Sequence, residues 1–507
     1  MKNKKIKISK KTVKKILLAL VCIVLVAAVA VSSTLYFGGK FDGSRGFDMK
    51  NNGYALDSEE VSRLTAVKPS KKQLAYSELE YYNFIHYGMN TFTGNEWGDG
   101  TDDPSVFNPE VVDTDQWISV LKDSGSKGII FTAKHHDGFC LFQTKYTDYS
   151  IKNSPYMDGK GDIVKQVADS CKKYGLKFGI YLSPWDRNNE AYGTEAYNEY
   201  FMNQLTELCT NYGDIFCFWF DGKKGDDVPD FDYDFTGYYD VIRKYQPNAV
   251  IACCGNDVRW IGNEEGQARE SEWSVVAKGS ESVDSTQMPE VDNTGDDLGS
   301  REFVKNYKNL VWYPAEADVS IFKENWFYNK KAKLRSTKEL TEIYFNTVGS
   351  NASLLLNVPP SKNGIIEEKE VKALQDFKSK IDKRFENEIE YTAYNQNNQK
   401  MIDNLVNAQE GVMLTQLDSN ITFRFDSKQK VRTIVLQEDI SESQRVEGFE
   451  IYAKVPGGYK KIYTGTTIGS KKIVRLSGIH VRNTDEIKII FTQSRSNPII
   501  KNIQFYA

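Results

Sequence analysis

Only four histidines occur in 507 residues, and three of them follow short apolar runs. His86 closes Asn83-Phe84-Ile85, while His135 and His136 come just after Gly128-Ile129-Ile130-Phe131-Thr132-Ala133. A further run, Ile215-Phe216-Cys217-Phe218-Trp219-Phe220, stops on Asp221 and Gly222. Apolar runs without alternation read as strands buried on both faces of a parallel sheet. Groups at the carboxyl ends of such strands are where α/β barrels carry their chemistry. By itself Asp221 is equally an ordinary turn residue before glycine. A later loop, Arg259-Trp260-Ile261-Gly262-Asn263-Glu264-Glu265-Gly266, should overhang the same mouth and offers a second carboxyl. Two carboxyls facing one pocket, one ionised and one held protonated, are the machinery of glycoside hydrolysis.

The other candidates fit a sugar rather than a metal. No His-x-His or His-x-x-x-His spacing occurs, so no metal ligand set and no cofactor is expected. Neutral imidazoles offer one donor and one acceptor each to hydroxyl groups. Glu96-Trp97, Tyr181, Trp185 and Trp219 add carboxylate and flat aromatic faces, matching the polar edges and apolar faces of a sugar ring.

These residues need a frame that brings strand ends together. From residue 72, strand-like runs alternate with helical ones, such as Asp162 to Tyr174, stopped by Gly175, and Tyr197 to Tyr212, stopped by Gly213. The fifth strand is read at Ala249 to Cys254, and later ones at Leu310 to Pro314 and Ser353 to Val358. This predicts an α/β fold, a (β/α)8-like barrel of the TIM type over 72–377. Past 378 the pattern changes to alternating apolar and polar residues, as in Ile421-Thr422-Phe423-Arg424-Phe425. That predicts an antiparallel β-sandwich over 378–507, bracing the barrel.

The amino end reads differently. Eight lysines and no acid lie within residues 1–15, and Ile16 to Val31 is continuously apolar. Such a start marks a basic cytoplasmic segment followed by a transmembrane anchor or signal peptide at 16–37. A linker is expected at 38–71. Lysines on the inside place the body outside the cytoplasm, tethered to the membrane or released by cleavage. The net charge of −4 becomes −12 once those eight lysines are removed, which argues against a nucleic-acid partner. Seven cysteines show no framework spacing and read mostly as buried small hydrophobes.

Taken as a set, His86-Tyr87-Gly88, Glu96-Trp97, His135-His136-Asp137-Gly138-Phe139, Tyr181-Leu182-Ser183-Pro184 and Trp219-Phe220-Asp221-Gly222 resemble glycoside hydrolase family 29, the α-L-fucosidases. The resemblance implies Asp221 as nucleophile of a retaining mechanism. It also implies a fucose pocket lined by His86, Glu96, Trp97, His135, His136, Tyr181 and Trp219, with Arg259 a further contact. The Gly262-Asn263-Glu264-Glu265-Gly266 loop is similar to the branch that prefers α-1,3 and α-1,4 linked fucose. It implies Glu264 as acid/base, with Glu265 the alternative. The partner would then be a fucosylated oligosaccharide or glycoconjugate. The competing reading is a non-catalytic surface protein that binds carbohydrate on a degenerate barrel, which has no need of both Asp221 and Glu264.

Overall fold

The computed structural model describes residues 58–225, 231–278, 289–401, 412–413 and 420–507. The basic segment and the apolar segment at 16–37 lie outside these residues. Among the described residues, no helix is long and apolar enough to cross a membrane.

Eight parallel strands form a nearly closed barrel: β1 (Tyr81–Ile85), β2 (Gly128–Lys134), β3 (Lys177–Leu182), β4 (Cys217–Phe220), β5 (Val250–Cys253), β6 (Arg259–Trp260), β9 (Ala315–Ser320) and β10 (Ala352–Asn357). Their order is β5-β4-β3-β2-β1-β10-β9-β6, and an Ala252–Val258 bridge joins the two ends. An antiparallel pair, β7 (Val275–Ala277) with β8 (Leu310–Trp312), interrupts the run between β6 and β9. Strands β1 and β2 are buried along their whole lengths, as continuous apolar runs require when both faces are covered.

The helices outside the barrel form where the sequence supplies ends as well as an apolar stripe. In Ile163–Tyr174, the Asp162 side chain accepts from the Lys165 N–H at 2.8 Å, and Gly175 closes the helix at φ +75°. Ile163, Val164, Val167 and Cys171 form its buried stripe. The last helix, Glu368–Asp382, continues past residue 377. At the other end, helix Ser58–Thr65 already occupies part of the stretch read as linker.

Two expectations about strands change. Leu310 to Pro314 is not a barrel strand but the outer arm of the β7–β8 pair. The barrel strand is the next segment, Ala315-Glu316-Ala317-Asp318-Val319-Ser320, whose inward-facing polar residues hide its strand character. Arg259 and Trp260, read as loop, form the short β6 and pair with Ala315 and Glu316.

The sandwich stacks a five-stranded sheet, ordered β11-β13-β18-β15-β16, on a four-stranded one, β12-β19-β14-β17. These strands are β11 (Thr392–Tyr394), β12 (Val412–Met413), β13 (Asn420–Val431), β14 (Thr433–Glu438), β15 (Val446–Val455), β16 (Gly458–Gly465), β17 (Lys472–Arg475), β18 (Arg482–Ser494) and β19 (Ile499–Tyr506). It packs at the entry of β10 and not at the strand ends that carry the candidate residues. Phe345, Val435, Ile473 and Tyr506 share one apolar cluster, and Arg475 grips Glu342 with two 2.8 Å contacts. The body cysteines Cys140, Cys171, Cys209 and Cys217 are buried thiols, and Cys253 and Cys254 are partly exposed ones.

Candidate active site

At the carboxyl ends of β1 to β6 lies a cavity of about 370 Å³. Nine of the residues singled out in the sequence line it: His86, Glu96, Trp97, His135, His136, Tyr181, Trp219, Asp221 and Glu264, while Trp185, Glu265 and Arg259 do not. They converge because each follows, or closes, a barrel strand. β2 ends at Lys134, so His135 and His136 are released from strict alternation. Gly138, at φ +88°, completes that turn. A Cβ there would lie 2.3 Å from a carboxylate oxygen of Asp186, so no larger residue fits.

Asp221 sits on the cavity floor one residue beyond β4, with its side chain 24% exposed. Its Oδ1 accepts the Lys223 backbone N–H at 2.8 Å, and its Oδ2 accepts the Tyr181 hydroxyl at 3.1 Å. His136 Nε2 stands 3.6 Å from Oδ2. This is not a standing ion pair, because burial pushes His136 down to about 4, outweighing the attraction of Asp221. Burial likewise takes His86 down to about 3 and His135 well below the ordinary imidazole range. All three rings are therefore neutral near pH 7. Each has Nδ1 against a protein partner: Asn357 at 2.9 Å for His86, Asn90 at 3.4 Å for His135 and Ser183 at 2.7 Å for His136.

Glu264 reaches the same cavity from a loop bent by two glycines, Gly262 at φ +106° and Gly266 at φ +69°. The side-chain Oδ1 of Asn263 ties that loop by accepting from the Glu265 and Gln267 backbone N–H groups. Although the residue is exposed at the mouth, its carboxyl is partly desolvated, which raises its pKa. The charge of Asp221 adds to that, and a hydrogen bond from Trp326 opposes it. Glu265, the neighbour, is exposed and lies outside the cavity lining.

Aromatic rings build the walls. Trp219 stacks on Tyr181 at 5.4 Å and 19°, while Trp97, 46% exposed, stands edge-on to Trp185 at the rim. Glu96 does more than line the wall. Its carboxylate binds the N–H groups of Trp326 and Phe327 and the Asn325 amide, fixing the loop that carries Trp326.

Arg259 is not brought to the cavity. It is fully buried beneath β6, its guanidinium pairing with Glu272 and donating to the backbone oxygens of Tyr313 and Trp273. As a member of β6 it faces the opposite way from Trp260, which does line the cavity. Sequence reading also passed over Trp260, Asp318 and Trp326 as lining residues. For Asp318 a signal existed: the alternation of Ala315, Ala317 and Val319 with Glu316, Asp318 and Ser320 is the period of a strand.

Strand β9 holds much of the cavity in place from below. Glu316 accepts the Trp219 indole N–H at 2.6 Å together with the Tyr76 and Tyr82 hydroxyls. Asp318 accepts the Trp260 indole N–H at 2.7 Å. Ser320 accepts from the Asn357 amide at 3.0 Å, and Asn357 in turn contacts His86.

Residues 56–383 match the family model for α-L-fucosidase. The chain belongs to the α-L-fucosidase family. It is 35% identical over 462 residues to α-L-fucosidase 1 of Arabidopsis thaliana, covering 86% of this chain and 87% of that one. Among solved structures, a glycoside hydrolase 29 family member from an unknown rumen bacterium is 35% identical with a TM-score of 0.72, over 87% of this chain and 77% of that one. A Ruminococcus gnavus fucosidase in complex with fucose is 27% identical with a TM-score of 0.74, over 91% and 98%. The fucosidase is thus a glycoside hydrolase, and its barrel and sandwich are those of its relatives.

Proposed function

We propose that this α-L-fucosidase is exo-acting and retaining, and that it releases terminal α-1,3 and α-1,4 linked L-fucose from Lewis-type glycans. Asp221 attacks the anomeric carbon, while protonated Glu264 donates to the departing glycosidic oxygen. Water deprotonated by the same Glu264 then releases fucose with the original anomeric configuration. One observation carries the assignment: Asp221 and Glu264 line one cavity in contrasting surroundings. Asp221 is met by hydrogen-bond donors suited to a carboxylate, whereas Glu264 is shifted toward its protonated form.

His86, His135 and His136 hydrogen-bond fucose hydroxyls as neutral rings. Trp219 and Tyr181 receive the apolar face of the sugar, and Glu96 orients the wall that carries Trp326. The acid/base assignment is tested by Glu264→Ala, which azide should rescue on an activated aryl fucoside; rescue of Glu265→Ala instead moves the role. The linkage assignment rests on the Gly262–Gly266 loop. It predicts faster fucose release from a Lewis trisaccharide than from an α-1,2-fucosylated one, and equal rates would refute it. We further propose that the body works outside the cytoplasm, tethered through residues 16–37. A mature protein whose mass begins near Ser32 would replace the tether with a cleaved signal.

A further inference from the structure

A third carboxyl faces the cavity that Asp221 and Glu264 share. Asp318 projects inward from the middle of β9, is 3% exposed, and lines the cavity beside Glu264 and Trp260. Its side chain accepts the Trp260 indole N–H at 2.7 Å. Trp260 is also where the loop bearing Glu264 leaves the barrel, four residues upstream. The groups facing Asp318 offer it no counter-charge. Glu264 faces it from that loop, Glu316 from its own strand and Cys253 from β5, while its register partner on β10 is Leu355.

We propose that Asp318 is a positioning residue for the acid/base: it stays protonated through the catalytic cycle, pins Trp260 at the root of the Glu264 loop, and gives Glu264 an uncharged neighbour. The inference rests on the reading of Glu264 as acid/base. Physically, a buried carboxyl with no cation beside it is costly to ionise. Burial first, and then the charges of Glu264 and Glu316, hold this one well above the ordinary carboxylic range. Glu264 therefore gives up its proton first. If Asp318 were ionised instead, its charge would raise the pKa of Glu264 and hinder that residue from acting as base in the second half of the reaction.

The test compares Asp318→Asn, Asp318→Ala, Trp260→Phe and the Asp318→Ala/Trp260→Phe double variant of the full chain on an aryl fucoside. Asparagine keeps an oxygen for the indole and carries no charge. Asp318→Asn should therefore hold kcat/KM within about threefold of wild type and leave the alkaline limb of kcat/KM in place. Asp318→Ala and Trp260→Phe should each lower kcat about tenfold, as expected for losing one buried hydrogen bond that positions the acid/base, and the double variant should be no worse than either. An alkaline limb lowered by about one pH unit in Asp318→Asn would mean that a charge had been removed, and would overturn the proposal. Multiplicative losses in the double variant would overturn it too, as would wild-type kinetics for Asp318→Ala. If Asp318→Ala fails to fold, Asp318→Asn and Trp260→Phe still decide through the pH profile and kcat. Azide rescue separates the two assignments: rescue of Glu264→Ala upholds the acid/base reading, and rescue of Asp318→Ala would make Asp318 itself the acid.

Discussion

Removing Glu316 tests whether the cavity wall depends on a buried carboxyl that touches no substrate. Glu316 is 1% exposed and receives three donors: the Trp219 indole and the hydroxyls of Tyr76 and Tyr82. In Glu316→Ala the two hydroxyls, 2.5 Å apart, can still satisfy one another. That leaves the indole N–H and one hydroxyl hydrogen unpaired. A buried donor left unmade costs about 1–3 kcal/mol, so the loss should be about 2–6 kcal/mol before any cavity cost. That is a large part of the roughly 5–15 kcal/mol that holds a typical domain. Glu316→Gln should behave differently. Burial outweighs the three hydrogen bonds and raises the carboxyl of Glu316 above its ordinary range, so a neutral amide of the same shape is a close mimic. Its oxygen can keep the indole, and its NH2 can donate to a hydroxyl that turns to accept. The glutamine variant should lose about 1–2 kcal/mol and keep KM within about threefold. Urea unfolding followed by tryptophan emission, run beside aryl-fucoside kinetics, measures both. The reasoning fails if the alanine variant unfolds within about 1 kcal/mol of wild type, or if glutamine is as damaging as alanine.

Four other outcomes follow from the same geometry. Asp221→Ala should fold normally yet lose at least about 10³-fold in kcat on an aryl fucoside, because it removes the nucleophile while leaving the strand intact. Burial pushes Asp137 up to about 7, helped by the charges of Asp186 and Asp102. Its folded form keeps a proton that the unfolded chain releases near pH 4, so stability present in acid is lost as pH rises from there to about 7, then stays level. Asp137→Asn should flatten that slope and gain about 2–4 kcal/mol at pH 8, read by denaturant titrations at pH 5 and pH 8. A chelator should leave turnover intact, since the three cavity imidazoles are engaged by Asn357, Asn90 and Ser183; restoration of lost activity by added zinc would refute this. Arg259→Met should lower the melting temperature, because the buried Glu272 loses one of its two guanidinium partners and keeps only Arg269, a cost of about 1–3 kcal/mol, without changing KM in the folded fraction.

What could be read in advance follows from which residues announce their own surroundings. Strands β1 to β5 are apolar on both faces, so their runs and the chemical residue at each end stood out in one dimension. His135 and His136 were legible as a pair because Asp137-Gly138 showed where the strand must stop. Strand β9 showed only its alternation of small apolar and polar residues, not its place in the barrel. Its inward face is Glu316, Asp318 and Ser320, and polar side chains in a barrel interior make sense only once Trp219, Trp260 and Asn357 are known to be there to meet them. Arg259 shows the converse. A cation three residues from a glycine-bounded acidic loop invites a ligand role, and only the two-residue strand β6 turns it toward Glu272 instead.

The carboxyls of the fold's upper half illustrate how surroundings divide one functional group into separate tasks. Asp221 follows β4, Glu316 and Asp318 both belong to β9, and Glu264 sits on a loop; the sequence alone offers no reason to rank them. Asp221 accepts a backbone N–H and a phenol, donors that suit an anion. Glu264 has one weak donor and partial desolvation, which suit a group that must hold a proton and then release it. Glu316 and Asp318 are buried with only indole and phenol donors, which suits groups that hold aromatic walls and stay out of the proton traffic. On this reasoning, moving a cation beside Asp318 should do more harm than neutralising it. Leu355→Lys, placed at its register partner on β10, would favour an ionised Asp318 and change the charge seen by Glu264. Its alkaline limb should shift where that of Asp318→Asn does not, and identical profiles for the two variants would refute this division of labour.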